Sequence, residues 1–166
     1  MERVKQFLKA SGDLKHRVAE TLSGEILEAA QTIRDRLASG GKLLLMGNGG
    51  SAADSQHIAA ELVGRFKKER AAIPAIALTV DSSSLTALGN DYGFEAIFSR
   101  QIEALATAKD AVMGISTSGN SQNVIRALNL ARNMGAATIG LMGHGGGKMK
   151  DCVDICIVVP SDDTAR

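Results

Sequence analysis

His57 and Glu61 stand four residues apart in the stretch GSAADSQHIAAEL, so on a helix their side chains share one face and can reach one ligand or one metal ion together. An imidazole beside a carboxylate is a pair suited to moving a proton or holding a metal. On spacing alone the pair is a surface contact worth about 0.2–0.5 kcal/mol. Its neighbourhood favours chemistry. Ile58, Ala59 and Leu62 flank it, and the helix begins at a loop of small polar residues, so a carboxylate there is expected to be partly desolvated and strengthened as a base.

That loop is one of two built alike. Lys42-LLLM-GNGGSAADSQH and Ala111-VMG-ISTSGNSQNV each run from an apolar stretch into glycine, serine and asparagine and then open a helix. Small residues let backbone N–H groups approach an anion, hydroxyls add donors, and a helix N-terminus carries about half a positive charge. Asn48, Gly49, Gly50 and Ser51 furnish the first cradle, and Ser116, Thr117, Ser118 and Ser121 the second. Ser121 or Asn120 can cap the following helix, which leaves more hydroxyls than a cap requires. The expected ligand is a small phosphoanion.

Two nucleotide readings compete and fare worse. Gly47-Asn-Gly-Gly-Ser-Ala52 formally fits the dinucleotide pattern G-x-G-x-x-A, but the acid that such a site needs about twenty residues on is missing. Asp81, the first candidate, lies about thirty residues past the turn. No G-K-[ST] follows either loop, which excludes a nucleotide P-loop, so no nucleotide cofactor is expected. Three other segments have mainly structural readings. Gly89-Asn90-Asp91-Tyr92-Gly93 reads as a polar turn or helix stop, Gly143-His-Gly-Gly-Gly147 as a flexible connection with His144 exposed, and Arg65 to Arg70 as a mostly solvated basic run.

The elements that must position these loops follow from hydrophobic spacing. Leu14, Val18, Leu22, Ile26, Ala30, Ile33 and Leu37 recur every three to four residues and predict one long helix over 13–38, stopped by Ser39-Gly-Gly. Strands are predicted at 42–46, 75–79, 110–114, 137–141 and 154–159, with helices at 51–63, 82–89, 94–106 and 121–134. Strict alternation of strand and helix makes an α/β fold: a doubly wound, five-stranded parallel sheet of flavodoxin-like order 2-1-3-4-5, helices on both faces, and an extra N-terminal helix. In that order the loops after the first and third strands meet where the strand order reverses, so both cradles should face one crevice.

Composition narrows the partners. The chain has 166 residues, 45% hydrophobic, with 19 basic against 18 acidic side chains, so no global charge draws it to nucleic acid or an anionic membrane. Aromatic residues make up 3%, too few for base-stacking platforms. No signal-peptide core or membrane-length apolar run is visible, which predicts a cytoplasmic protein. Cys152 and Cys156, read on one strand, are too far apart for a disulfide.

With these segments assembled, GNGGSAADSQHIAAEL, LGNDYGFEAIFSRQIEAL, KDAVMGISTSGNSQNV and GGKMKDCVDICIVVP, the chain resembles the sugar isomerase (SIS) domain family, and within it the phosphoheptose isomerases that act on sedoheptulose 7-phosphate. The resemblance runs from about Gly41 to Arg166 and implies an aldose–ketose isomerase making heptose 7-phosphate for lipopolysaccharide-type glycans. By that resemblance Asn48, Gly49, Gly50, Asn90 and Asp91 bind substrate, Ser116, Thr117, Ser118 and Ser121 hold the phosphate, and Glu61 shuttles the proton. His57 and Glu61 match positions that contact substrate and, in zinc-bearing members, ligate the metal. The family further implies a homotetramer with sites at subunit boundaries. Its members continue past the fifth strand into a helix whose Gln and His complete the metal and acid–base set, whereas this sequence stops at Pro160-SDDTAR-166. The expectation is therefore an N-terminal helical segment, 1–40, and a truncated SIS domain, 41–166, with the remaining zinc ligands beyond Arg166. Two rivals keep the fold without the reaction: a relative that binds the initiator DnaA, against which Glu61 and Ser118 argue, and a regulatory SIS module that senses a sugar phosphate.

Overall fold

Short aliphatic runs become five parallel strands, β1 (Leu43–Gly47), β2 (Ala75–Ala77), β3 (Ala111–Ser116), β4 (Ala137–Met142) and β5 (Ile155–Val158), hydrogen-bonded in the order β2-β1-β3-β4-β5. The computed structural model describes residues 1–164, so the last two residues of the expected 41–166 domain lie outside it. Six α-helices are described: α1 (Glu2–Thr21), α2 (Ser23–Ala38), α3 (Gly50–Val63), α4 (Ser82–Tyr92), α5 (Ser99–Leu105) and α6 (Gln122–Asn133). Short 3₁₀ stretches occupy Phe94–Ala96 and His144–Cys152.

Strand alternation sorts the core into two faces. Leu44, Met46 and Val112 point to one side, where Phe98 and Ile102 of the α5 region and Val124, Ala127, Leu128 and Ala131 of α6 cover them. Leu43, Leu45 and Ala111 point to the other, against Ala59 of α3, while Leu22 and Ala29 cover Ile139, Ile155 and Ile157. Gly114 of β3 is where α6 lies closest to the sheet: a Cβ there would come within 2.7 Å of Val124 and 2.9 Å of Leu128.

The single N-terminal helix expected over 13–38 is two helices. α1 begins at Glu2, and the chain leaves helical geometry at Leu22 (φ −125°, ψ 4°) before α2 starts at Ser23. Hydroxyls on both sides of the break compete for the backbone: Thr21 Oγ1 donates to the Arg17 carbonyl and Ser23 Oγ to that of Ala19, with Gly24 adjacent. Leu22 fits the stripe of either helix, which hid the break. α2 lies on the sheet, whereas α1 carries Val4, Phe7 and Leu8 exposed. Among the described residues no helix is long and apolar enough to cross a membrane. Both cysteines are unpaired, and Cys152 closes the second 3₁₀ stretch instead of sharing β5 with Cys156.

Candidate active site

β1 and β3 are neighbours in register, Gly47 opposite Ile115, so the loops leaving their C-terminal ends start side by side. Gly47 lets them close up: a Cβ there would sit 2.7 Å from Ser51 Cβ and 2.9 Å from the Ile115 carbonyl. Gly49, at φ +55°, then turns the chain into α3. The result is a cavity of about 230 Å³ lined by Asn48 and Ser51 of the first loop, Ile115, Ser116, Thr117, Ser118 and Ser121 of the second, and also His144 and Thr164. A second space of about 340 Å³ shares Ser51, Ile115, Thr117 and Thr164 with it and adds Asp54 and Asp163.

Two helices begin at this cavity, and neither N-terminus is closed by a side-chain cap. Ser121 stands at the cap position of α6, yet its hydroxyl bonds Ser116 Oγ at 2.9 Å instead. Each hydroxyl keeps hydrogen-bonding capacity beyond that one contact, so the pair can turn toward an anion. Asp81, by contrast, is an ordinary cap: it accepts from the Ser84 amide at 3.0 Å and the Ser84 hydroxyl at 2.7 Å, which holds its carboxyl below the usual range.

Asn123 ties the two cradles together. Asn48 Nδ2 donates to Asn123 Oδ1 at 2.9 Å, Asn123 Nδ2 donates back to Asn48 Oδ1 at 2.9 Å, and Asn123 is only 2% exposed. The second loop is also buttressed by the glycine-rich segment after β4, which is packed and not the flexible connection expected. Gly143 N donates to the Thr117 carbonyl at 3.0 Å, Met149 N to that of Gly119 at 2.8 Å, and Lys148 N to Asn120 Oδ1 at 3.1 Å. Gly145, Gly146 and Gly147 all have positive φ, and a Cβ on Gly147 would press to 2.6 Å from the Ser118 carbonyl. His144 is exposed, as expected, yet it also lines the cavity, and Asn123 is the residue that sequence reasoning missed. The signals were a second asparagine inside SGNSQN and, for His144, a place at the C-terminal end of the next strand, the edge where open α/β sheets bind ligands.

His57 and Glu61 sit farther along α3. Their Nε2 and Oε1 atoms are 3.5 Å apart, and they line a separate space of about 310 Å³ with Ile58, Leu62, Phe66 and Arg70. A rise of about 1.5 Å per residue puts His57 about 9 Å and Glu61 about 15 Å along the axis from Ser51, and about a quarter to a third of a turn around it. The side chains are 75% and 37% exposed, so within one chain the carboxylate is partly covered and the imidazole stands in water. Arg70 finishes the helix, donating to the Leu62 carbonyl at 2.8 Å and the Glu61 carbonyl at 2.7 Å, and so is a structural member of the basic run. Asn90 and Asp91 are not in a loop: α4 continues to Tyr92, they pair with each other at 2.8 Å, and both are exposed away from the cradle. The helix runs on because its stop is Gly93, at φ +84°.

The SIS domain model matches residues 6–143. The phosphoheptose isomerase of Geobacter sulfurreducens is 58% identical over 159 residues, 96% of this chain and 84% of that protein. The chain belongs to the phosphoheptose isomerase family of SIS domains. The corresponding protein of Aquifex aeolicus is 54% identical over 166 residues and is covered to 87% of its length. The phosphoheptose isomerase structure from Neisseria gonorrhoeae superposes on this SIS isomerase with a TM-score of 0.93 at 43% identity, covering 99% of this chain and 88% of that one. That from Francisella tularensis gives 0.94 at 37%, covering 99% and 87%.

Zinc, which the family resemblance implies, takes about four ligands. His57 Nε2 and Glu61 Oε1 offer two, and among the described residues no group of three or more His, Cys, Asp or Glu side chains is placed to hold a metal ion. Those two donors alone do not fit a zinc site.

Proposed function

We propose that this SIS isomerase interconverts sedoheptulose 7-phosphate and D-glycero-D-manno-heptose 7-phosphate through an enediol, supplying precursors for lipopolysaccharide-type glycans in the cytoplasm. One observation carries the reading: two hydroxyl- and glycine-rich loops line one cavity at the start of the helix that bears His57 and Glu61. The phosphate takes the cradle of Ser116, Thr117, Ser118 and Ser121, and the sugar chain passes Asn48, Gly49 and Gly50 toward the later turns of α3. Glu61 removes the proton from the carbon beside the carbonyl. The adjacent hydroxyl gives up its proton as the carbonyl oxygen gains one, and Glu61 returns its proton to the neighbouring carbon, so no redox partner is consumed. His57, at 3.5 Å, holds the carboxylate in position. Binding energy gained at the non-reacting phosphate end holds the reacting carbons where the carboxylate can work.

A homotetramer belongs to the same proposal. Exposed Val4, Phe7 and Leu8 on α1 and exposed Val63 and Phe66 beside the Glu61 face support it, since monomers seldom leave so many large apolar side chains in water. Contacts there would also shield Glu61. The test is sedoheptulose 7-phosphate in deuterated buffer with wild type and Glu61→Gln. Wild type should build deuterium into the sugar carbons, and the variant should lose about 10²–10⁴-fold in rate. Binding without exchange by the wild type would make the chain a sugar-phosphate sensor, and a fully active variant would remove Glu61 from the role of base.

A further inference from the structure

The cradle described above is neutral except at one point. Among the described residues its lining side chains are hydroxyls, an amide and an isoleucine, with His144 the only ionisable group. A phosphate monoester near neutral pH carries between one and a half and two negative charges, and the adjoining space adds the carboxylates of Asp54 and Asp163. His144 is held at this rim by its backbone. Its N–H donates to the Ser161 carbonyl at 3.1 Å, and its φ of +45° is unusual for a residue with a side chain. Its Nδ1 lies 3.7 Å from Asp162 Oδ1, so an acid stands beside the ring.

We infer that His144 is a phosphate-binding residue whose imidazolium, beside Asp162, supplies the one positive side-chain charge that the described residues bring to the cradle and makes anion affinity rise as the ring protonates. The inference rests on the cradle being the phosphate site. Imidazole is the side chain that ordinarily ionises between pH 5 and 8. The other charged groups near it are Asp162, Asp163 and Asp54, together with Lys148 and Lys150 on its own segment.

Sulfate tests this without titrating itself. Its inhibition constant, and the KM for sedoheptulose 7-phosphate, are measured from pH 5.5 to 8 for wild type, His144→Asn, His144→Lys and Thr117→Ala. Asparagine tolerates the left-handed backbone and is neutral, while lysine restores a charge that does not titrate in this range. The expected result is sulfate binding by wild type that weakens as pH rises. Asparagine should weaken it by about tenfold at pH 5.5 and remove the slope, the loss falling on KM more than on kcat. Lysine should bind sulfate tightly at every pH. Wild-type affinity and slope in His144→Asn, with Thr117→Ala weakened, would overturn the role of His144 and leave the cradle standing. A lysine variant as weak as asparagine would show that ring shape and not charge matters, and would overturn it too. If Thr117→Ala also binds like wild type, the cradle assignment itself falls.

Discussion

Replacing Asn123 by aspartate exchanges one amide nitrogen for oxygen and reverses one hydrogen bond. In the wild type the two amides exchange donors at 2.9 Å, and Asn123 Oδ1 also accepts from the Val124 amide at 3.0 Å. An ionised carboxylate in its place would still accept from Asn48 Nδ2 and Val124 N, but it would have nothing to donate to Asn48 Oδ1, so two oxygens would face each other at a position 2% exposed. Protonated, the same carboxyl has an O–H to donate and mimics the amide. Burial without a cationic partner should raise its folded-state pKa above the unfolded value near 3.9 by about two units, and each unit is about 1.36 kcal/mol. With the folded pKa raised, stability is fully present below the unfolded pKa and is lost as pH rises through the folded one. Asn123→Asp should therefore melt close to wild type near pH 4 and lose about 2.7 kcal/mol by pH 7.5, a fall of about 5–10 °C for a chain of this size. Thermal melts at fixed protomer concentration across that range, each paired with wild type, measure it. A variant that melts with wild type at pH 7.5, or a deficit that does not shrink in acid, would refute the view that the amide pair locks the cradles together.

Gly119→Ala would place a Cβ 2.0 Å from the Gly146 carbonyl oxygen at φ +64°, so the second cradle must part from its buttress; a KM for sugar phosphate raised about tenfold is expected in steady-state kinetics, and unchanged kinetics would mean that the buttress is dispensable. At the opposite edge of the sheet, burial works against the Asp110 carboxylate, but the Lys42 ammonium at 2.9 Å and donors from Lys42 and Thr107 prevail and hold its pKa below the usual value. A depressed carboxylate lends stability that is present above the unfolded pKa and lost as pH falls through the folded one, so its share should vanish below about pH 4. Asp110→Ala should lower the melting temperature at pH 7 by about 6–12 °C, from about 3 kcal/mol for a broken partly buried pair, and the deficit should shrink in acid; a deficit independent of pH would show that packing and not charge set it.

The strand order and the meeting of the two cradles were legible because short aliphatic runs bounded by glycine, proline and acids have few other uses, and alternation with helices leaves few topologies. What escaped was set by contacts that local pattern does not encode. Leu22 continues a helical stripe in sequence while departing from helical backbone, since its burial against Ile139 and Ile155 suits either side of the break. Glycines 145–147 read as slack, but they are glycines because positive φ and close carbonyls leave no room for a Cβ. A glycine demanded by close approach and one tolerated in a loose loop look the same in sequence. Asn90 and Asp91 are polar in a loop or in the last turn of a helix, and only the stop at Gly93 decides between them.

The two ends of the site differ in a way that bears on the proposed reaction. The anion end is over-determined: the Asn48–Asn123 amide pair, the Ser116–Ser121 hydroxyl pair and three hydrogen bonds from the segment after β4 each fix part of it. Such rigidity lets binding energy be gained without reordering the loops, as anchoring a non-reacting group requires. At the other end His57 stands in water and Glu61 is only partly covered, so charge interactions there are weakened. Proton abstraction beside a carbonyl needs that water removed, and the end of α3 presents Val63, with Phe66 just beyond it, both exposed next to the pair. A surface laid on those two side chains would dry Glu61 without disturbing the cradle.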